Sequence, residues 1–336
     1  MGQRNILSTR NILTSVVLAL TLTAAAMPAS AQTSTKSDDS SAPAVVHNRW
    51  TTGAPMPTAR EWPFTGAIGK KIYVAGGSND TEVLPVTEIY DTTTNTWSTG
   101  GAPMLTPRIA GASAVVNNVL YAIGGATSSS ESNVVEAYDP KTNAWSTMQP
   151  MPIANDNIVA VADKDVIYVI GGYVNGQGRQ SVVYAYNTSN DTWTQIASMN
   201  VAKSYPAAGL LGTTIVAAGG LENGGVTNDN EGYSVTKNKW RDLAPVPTGR
   251  QAGCYEAFKG ILYYAGGAIV NGDPLSVLEA YALKTNSWTT GLASMPDGTI
   301  NPGSASVAGR LYCFGGSNNG YPFQGSIYNY VQIYQP

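Results

Sequence analysis

The stretch GASAVVNNVLYAIGGATSSSESNVVEAYDPKTNAW covers residues 111–145 and contains four short runs of strand-forming residues separated by turns. The runs lie at residues 111–117, 120–123, 134–138 and 144–146. Short strands with turns of this length predict an antiparallel sheet. Because a single four-stranded sheet leaves its faces uncovered, the stretch needs similar sheets to pack against.

The same pattern recurs along the chain with a period of 47–49 residues. Each unit has a diglycine after its second run, at Gly76, Gly124, Gly171, Gly219, Gly266 and Gly315. In the first five units a tyrosine follows the diglycine at a nearly constant spacing, at Tyr90, Tyr138, Tyr186, Tyr233 and Tyr281. A tryptophan comes seven residues after each tyrosine, at Trp97, Trp145, Trp193, Trp240 and Trp288. A regular period of this size indicates a ring of equal units, each packing on the next.

The repeat resembles the kelch repeat family. The matching features are the diglycine after an apolar strand, the Tyr-Asp pairs that begin at Tyr90 and Tyr138, and the tryptophan that closes each unit. The resemblance covers residues 49–334 and implies an all-β fold, a six-bladed kelch-type β-propeller with four antiparallel strands per blade.

The sixth unit lacks its last strand. Tyr330 follows Gly315 at the spacing found in the other units, but the sequence reaches Pro336 before a tryptophan occurs. Trp50 precedes Trp97 by one repeat period and is therefore in phase at the other end. We expect the N-terminal strand to complete the sixth blade, as in many propellers of this family, which leaves no open sheet edge.

The N-terminal segment has the features of a targeting sequence. A positively charged start, an apolar stretch and an A-x-A site predict a signal peptide over residues 1–31, cleaved after Ala31. Residues 32–48 are rich in Ser, Thr, Asp and Ala and predict a flexible leader before the propeller at 49–336. We expect a periplasmic or secreted protein with no membrane insertion, since no second apolar segment is long enough to cross a bilayer.

Composition excludes several kinds of chemistry. The net charge is −3, which is unsuited to binding nucleic acid. The one histidine, His47, lies in the leader, so histidine-based triads and multi-histidine metal sites are excluded, including those of the copper oxidases built on kelch propellers. We expect no cofactor, no metal site and a monomer.

Two cysteines, Cys254 and Cys313, lie in predicted strands of neighbouring units. Small apolar residues fit such positions, and we interpret the pair as two buried thiols. An oxidising compartment would permit the alternative, a disulfide.

One position precedes the diglycine by the same number of residues in every unit, as Arg60 precedes Gly76. This position marks the start of the first strand of the unit. It lies near the crossovers that share one mouth of the ring, and it is occupied by Arg60, Arg108, Asn155, Lys203, Arg250 and Thr299. In kelch proteins that bind peptides, arginines near this position line the central pocket, so the resemblance implies a cationic mouth suited to carboxylates. The alternative is that these side chains pair with nearby carboxylates and hold the crossovers in place.

Aromatic residues accompany two of these positions. Trp62 and Tyr205 follow Arg60 and Lys203 by two residues, and Trp62 falls outside the repeat series of tryptophans. We predict that both contact the ligand, with ordinary packing at the rim as the alternative. Tyr321 and Phe323, in the loop of the sixth unit, are further candidates for an apolar contact.

Two functions fit this pattern. The first is a non-catalytic binding module that holds a protein, peptide or glycan ligand, possibly acidic, at the mouth. The second is a carbohydrate-active enzyme similar to the periplasmic sialic acid mutarotase, which needs a general acid and base and an arginine for the sugar carboxylate. The catalytic residues of such an enzyme stay open, with Glu61, Asp156 and Glu256 as candidates. A purely structural role is a third alternative.

Overall fold

The computed structural model describes residues 48–79, 81–269, 272–318 and 326–336. Within these ranges the chain forms β-strands and no helix, so it also has no helix long and apolar enough to cross a membrane. Six antiparallel sheets of four strands form a six-bladed β-propeller, which confirms the predicted fold. The predicted signal peptide, most of the leader, and Tyr321 and Phe323 lie outside the described residues.

The N-terminal strand β1 (Arg49–Thr52) precedes blade 1, which contains β2 (Phe64–Ile68), β3 (Lys71–Ala75), β4 (Thr87–Asp91) and β5 (Thr96–Gly101). Blade 2 contains β6 (Ala112–Val116), β7 (Val119–Ile123), β8 (Val135–Asp139) and β9 (Ala144–Met148). Blade 3 contains β10 (Val159–Asp163), β11 (Val166–Ile170), the hairpin of β12 (Tyr173–Val174) and β13 (Gly178–Arg179), β14 (Val183–Asn187) and β15 (Thr192–Ile196).

Blade 4 contains β16 (Ala207–Leu211), β17 (Thr214–Ala218), the hairpin of β18 (Leu221–Glu222) and β19 (Gly225–Val226), β20 (Asn230–Ser234) and β21 (Lys239–Asp242). Blade 5 contains β22 (Cys254–Phe258), β23 (Ile261–Ala265), β24 (Leu278–Ala282) and β25 (Ser287–Thr289). Blade 6 contains β26 (Gly303–Val307), β27 (Arg310–Phe314) and β28 (Val331–Gln335), and β1 is its fourth strand.

The N-terminal strand closes the ring, as the phase of Trp50 predicts. β1 pairs antiparallel with β28, with Trp50 opposite Tyr334. The indole N–H of Trp50 donates to the carbonyl of Ala293 at 2.7 Å. Every other repeat tryptophan makes the equivalent bond to the preceding blade. The first strand of the chain and the last therefore share one blade, and neither is left as an open edge.

The tyrosine of the sixth unit is Tyr334, and the prediction of Tyr330 was wrong. The Tyr334 hydroxyl donates to the Asn48 side chain, as Tyr90 does to Asn95 in blade 1. Tyr330 is 40% exposed. Tyr334 lies four residues further along the chain, because the connection between β27 and β28 is longer than its counterparts. A fixed count from the diglycine therefore selects the wrong residue in this blade.

The diglycines join each blade to the next. Both glycines have positive φ, about 64° and 86° at Gly76 and Gly77, where other residues are strained. A Cβ on Gly76 would lie 2.7 Å from the carbonyl oxygen of Arg108 in blade 2. The second glycine of each pair donates its N–H to the first-strand crossover of the next blade, and Gly316 donates to Arg60 to complete the circle. The sequence motif thus encodes a contact between blades.

Cys254 and Cys313 form a disulfide, so the interpretation as two thiols was wrong. The bond joins β22 of blade 5 to β27 of blade 6, with a Cα–Cα separation of 5.8 Å. That separation is typical of disulfides. The lateral register of one blade against the next sets this distance, and no local pattern in the sequence reports that register.

Candidate functional site

The four cations predicted to line the mouth are buried. Arg60, Arg108, Lys203 and Arg250 each have 0% exposure. Each forms an ion pair with a glutamate in the third strand of its own blade. The pairs are Arg60–Glu88 at 2.7 Å, Arg108–Glu136 at 3.2 Å, Lys203–Glu231 at 3.3 Å and Arg250–Glu279 at 2.8 Å. Lys203 also contacts Asp229.

The side chain at this position also donates a hydrogen bond to a backbone carbonyl, which in four blades is that of the first glycine of the diglycine. Arg60 donates to the carbonyl of Gly76 at 3.0 Å, and Arg108 donates to that of Gly124 at 2.6 Å. Uncharged residues do the same in blades 3 and 6, where Asn155 donates to Gly171 and Thr299 donates to Gly315. In blades 4 and 5, Lys203 and Arg250 donate instead to the carbonyls of Ala217 and Tyr264. The shared role of the position is thus to satisfy a buried carbonyl, which is costly to leave unpaired.

The six blades can be compared at the two positions that form these ion pairs. In blades 1, 2, 4 and 5 a cation faces a glutamate at the second residue of the third strand. Blade 3 has Asn155 with Tyr184 at these positions, and blade 6 has Thr299 with Gln332. The two blades that lack the cation also lack the carboxylate, as expected of a buried pair whose members depend on each other.

The structure therefore favours structural pairing over a cationic mouth. Arg60, Arg108, Lys203 and Arg250 are fully enclosed, and Asn155 is 1% exposed, so none of them presents its side chain to a ligand. The alternative, structural pairing, describes their contacts. The mouth is formed instead by the residues that lie two positions further along each blade.

Six residues, one from each blade, form a ring at the mouth. The members of this mouth ring are Trp62, Ala110, Asn157, Tyr205, Ala252 and Asn301. All six have left-handed backbone, with φ between 53° and 58°. Five backbone hydrogen bonds of 2.6–3.2 Å run from one ring residue to the next and connect all six. Non-glycine residues with this conformation are uncommon and cluster at ligand sites.

Two aromatic side chains meet across the mouth ring. Trp62 belongs to blade 1 and Tyr205 to blade 4, which lie on opposite sides of a six-bladed ring. Their side chains approach each other, with the Trp62 indole near the Tyr205 hydroxyl. Burial raises the pKa of Tyr205, and the charges of Asp156 and Glu61 add to the effect. We call this pair the aromatic bridge; it spans the entrance to the central channel.

The groups around the bridge are rich in acceptors. Burial, together with the charge of Glu131, raises the pKa of Asp156 to about 7. Within the described ranges, one side-chain oxygen of each of Asp156, Asn157 and Gln251 is buried without a hydrogen-bond partner. Arg179, from the β12–β13 hairpin, contributes a positive charge near Tyr205, and its buried Nε–H also has no hydrogen-bond partner in the described ranges.

The three candidate carboxylates do not meet in one place. Glu61 is buried at the rim and accepts hydrogen bonds from Asn301 and Ser317. Asp156 lies at the mouth. Glu256 lies further inside, in the channel wall. It follows Ala252 of the mouth ring by four residues, and four residues of extended chain span at most about 13 Å.

The channel below the bridge is a cavity of ≈ 370 Å³ lined by the first strands of all six blades. Glu256 accepts a hydrogen bond from the Ser306 hydroxyl at 3.3 Å, and burial raises its pKa to about 7. No cluster of three or more His, Cys, Asp or Glu side chains that suits a metal ion occurs among the residues that the structure describes.

Sequence reasoning identified Trp62 and Tyr205 but missed the mouth ring as a set. Asn157 and Asn301 occupy equivalent positions in two units, because a whole number of repeat periods separates them. This periodicity could have identified them as members of one ring. The small side chains of Ala110 and Ala252 gave no hint of a shared role. Their left-handed conformation becomes evident only in the folded ring.

Comparisons with known proteins agree with this architecture. Residues 112–316 match the family described as the KLHDC2/KLHL20/DRC7 Kelch-repeats domain, and residues 65–104 match the Kelch motif. The chain belongs to the kelch repeat family. It is also similar to Kelch-like protein 40 from Xenopus laevis, with 34% identity over 84 residues. That alignment spans 25% of this chain and only 13% of the relative. Kelch propellers are commonly protein-interaction modules, which supports a binding role here.

Proposed function

We propose that this protein is an exported binding module that holds a segment of a protein, peptide or glycan ligand at the mouth ring. The observation that carries the proposal is the aromatic bridge of Trp62 and Tyr205, bordered by acceptor oxygens that have no partner in the described structure. Asp156, Asn157 and Gln251 are each partly exposed, so a ligand at the mouth can reach these side chains, and one oxygen of each lacks the partner that buried polar atoms normally have.

The chemistry of the mouth favours a ligand rich in hydrogen-bond donors over an acidic one. Asp156 and Glu61 bring negative charge to the bridge, and Arg179 offsets only part of it. The cations that suited an acidic ligand are enclosed in ion pairs. Lysine and arginine side chains combine donors with positive charge and also pack on aromatic faces. A basic peptide segment is therefore the ligand that we expect.

A sugar isomerase has less support. That chemistry needs an arginine to hold the sugar carboxylate, and Arg60, Arg108 and Arg250 are all enclosed. Asp156 has a pKa suited to proton transfer, but Glu256 lies deeper in the channel and Glu61 is already hydrogen bonded. No observation favours catalysis over binding.

A peptide selection tests the proposal directly. A random displayed peptide library selected on the immobilised protein should yield sequences rich in lysine and arginine. We expect Asp156→Asn to weaken binding of an enriched peptide by about tenfold, the effect of losing one charge-assisted hydrogen bond. Trp62→Ala should weaken it further, because the bridge is lost. Calorimetric titration measures both effects.

The pH dependence gives an internal check. Asp156 becomes ionised as the pH rises through about 7, so a basic peptide should bind more tightly at pH 8 than at pH 6. This difference should be smaller in Asp156→Asn. Lys141→Ala, in an exposed turn between β8 and β9, is the matched control and should bind as the wild type does. Enrichment of acidic peptides, or equal binding by Asp156→Asn, would contradict the proposal.

The disulfide supports the proposed export, because such bonds persist in oxidising compartments. Expression of the complete chain in a bacterium with a periplasm provides the test. We expect the protein in the periplasmic or extracellular fraction, with Gln32 as its N-terminal residue by mass spectrometry. Blocking cleavage with Ala31→Leu should retain the longer form. Uncleaved wild-type protein in the cytoplasm would overturn the assignment.

A further inference from the structure

We propose that the channel below the aromatic bridge, the inner part of the cavity that the mouth ring also lines, takes a small amphipathic monoamine with its ammonium group on Glu256. The cavity of ≈ 370 Å³ is large enough for a small organic ligand.

Glu256 provides the charge that selects an ammonium group. Among the described residues that line the channel, it is the only acidic or basic one. The equivalent positions of the other blades hold Gly66, Ala114, Val161, Gly209 and Ala305. A carboxylate so deep in the protein is unfavourable unless a cation or several donors compensate it, and the bond from Ser306 supplies one donor.

Two hydroxyl groups that line the channel already donate hydrogen bonds within its wall. The hydroxyl of Thr65 donates to the carbonyl of Ser304 at 2.6 Å, and that of Ser113 donates to the carbonyl of Thr65 at 2.8 Å. These bonds tie blades 6, 1 and 2 together. A polyhydroxylated ligand such as a sugar would have to compete with them, whereas a ligand with a single polar group would not.

The wall formed by blades 3 and 4 is apolar. It presents Ala160 and Ala162 of β10 and Ala208 and Leu210 of β16 to the channel. A ligand in the cavity therefore meets one negative group on blade 5 and hydrocarbon on blades 3 and 4. An amine with a compact apolar body satisfies both surfaces, because its ammonium pairs with Glu256 while its body leaves water.

Calorimetric titration with benzylamine and its neutral isostere benzyl alcohol tests the site at pH 8, where Glu256 is mostly ionised. We expect benzylamine to bind at least tenfold more tightly than benzyl alcohol. Glu256→Gln, which keeps the shape of the side chain, should remove this preference. Asp156→Asn at the mouth should leave it unchanged, which separates this site from the one proposed for peptides.

Several outcomes would overturn the proposal. Equal affinity for the amine and the alcohol would show that the charge of Glu256 plays no part. Benzylamine binding that survives Glu256→Gln, or disappears in Asp156→Asn, would place the amine at the mouth. Absence of binding for both benzylamine and n-butylamine, checked by ligand-observed NMR, would remove the site. The comparison of amine with alcohol on the wild type holds even if Glu256→Gln folds poorly.

Discussion

Substitution of Arg108 by threonine is expected to lower the free energy of unfolding by about 3–5 kcal/mol, the usual cost of breaking a buried ion pair from one side. The change leaves Glu136 buried at 1% exposure without its cation. It also removes the donors to the carbonyls of Gly124 and Val134. Urea unfolding followed by tryptophan fluorescence measures the loss.

The chain supplies its own control for this experiment. Blade 6 has threonine and glutamine where blade 2 has Arg108 and Glu136, so the double variant Arg108→Thr/Glu136→Gln copies a combination that already folds. We expect the double variant to be more stable than Arg108→Thr alone, because no unpaired carboxylate remains. If both variants lose the same stability, the pair does not act as a unit and our structural interpretation fails.

Removal of the disulfide is expected to cost about 2–4 kcal/mol. The Cys254–Cys313 bond closes a loop with a sequence separation of 59, which restricts the unfolded chain. The double variant Cys254→Ala/Cys313→Ala should therefore unfold at lower urea concentration than the wild type. Both cysteines are almost fully buried, so the substitutions also remove some packing between blades 5 and 6.

Reducing agent distinguishes the covalent bond from the packing. Unfolding of the wild type in the presence of dithiothreitol should approach the stability of the double variant, while the variant itself should not respond. Wild-type protein whose unfolding is unchanged after complete reduction would contradict a stabilising role for the bond. Mass spectrometry under denaturing conditions verifies the redox state in each sample.

The sequence by itself determined the architecture. The diglycines and the tryptophans recur with one period in all six blades, and the tyrosines do so in five, so local patterns were enough to predict the six blades. The phase of Trp50 also sufficed to predict that β1 completes the sixth blade. These features could be predicted because the same local interactions occur in each repeat and therefore leave the same residues at the same spacing.

Only the tertiary structure decided what the site is. The arginines of blades 1, 2 and 5 point into their own blades, toward glutamates on the third strand, and leave the mouth to Trp62, Tyr205 and Asp156. The disulfide and the mouth ring likewise depend on how one blade is placed against another. A residue's position in the repeat predicts which strand it belongs to and where in that strand it lies. Strand register and packing between blades decide whether its side chain faces the blade interior, the neighbouring blade or the channel. Both depend on contacts between residues far apart in the sequence, so the local sequence does not predict them.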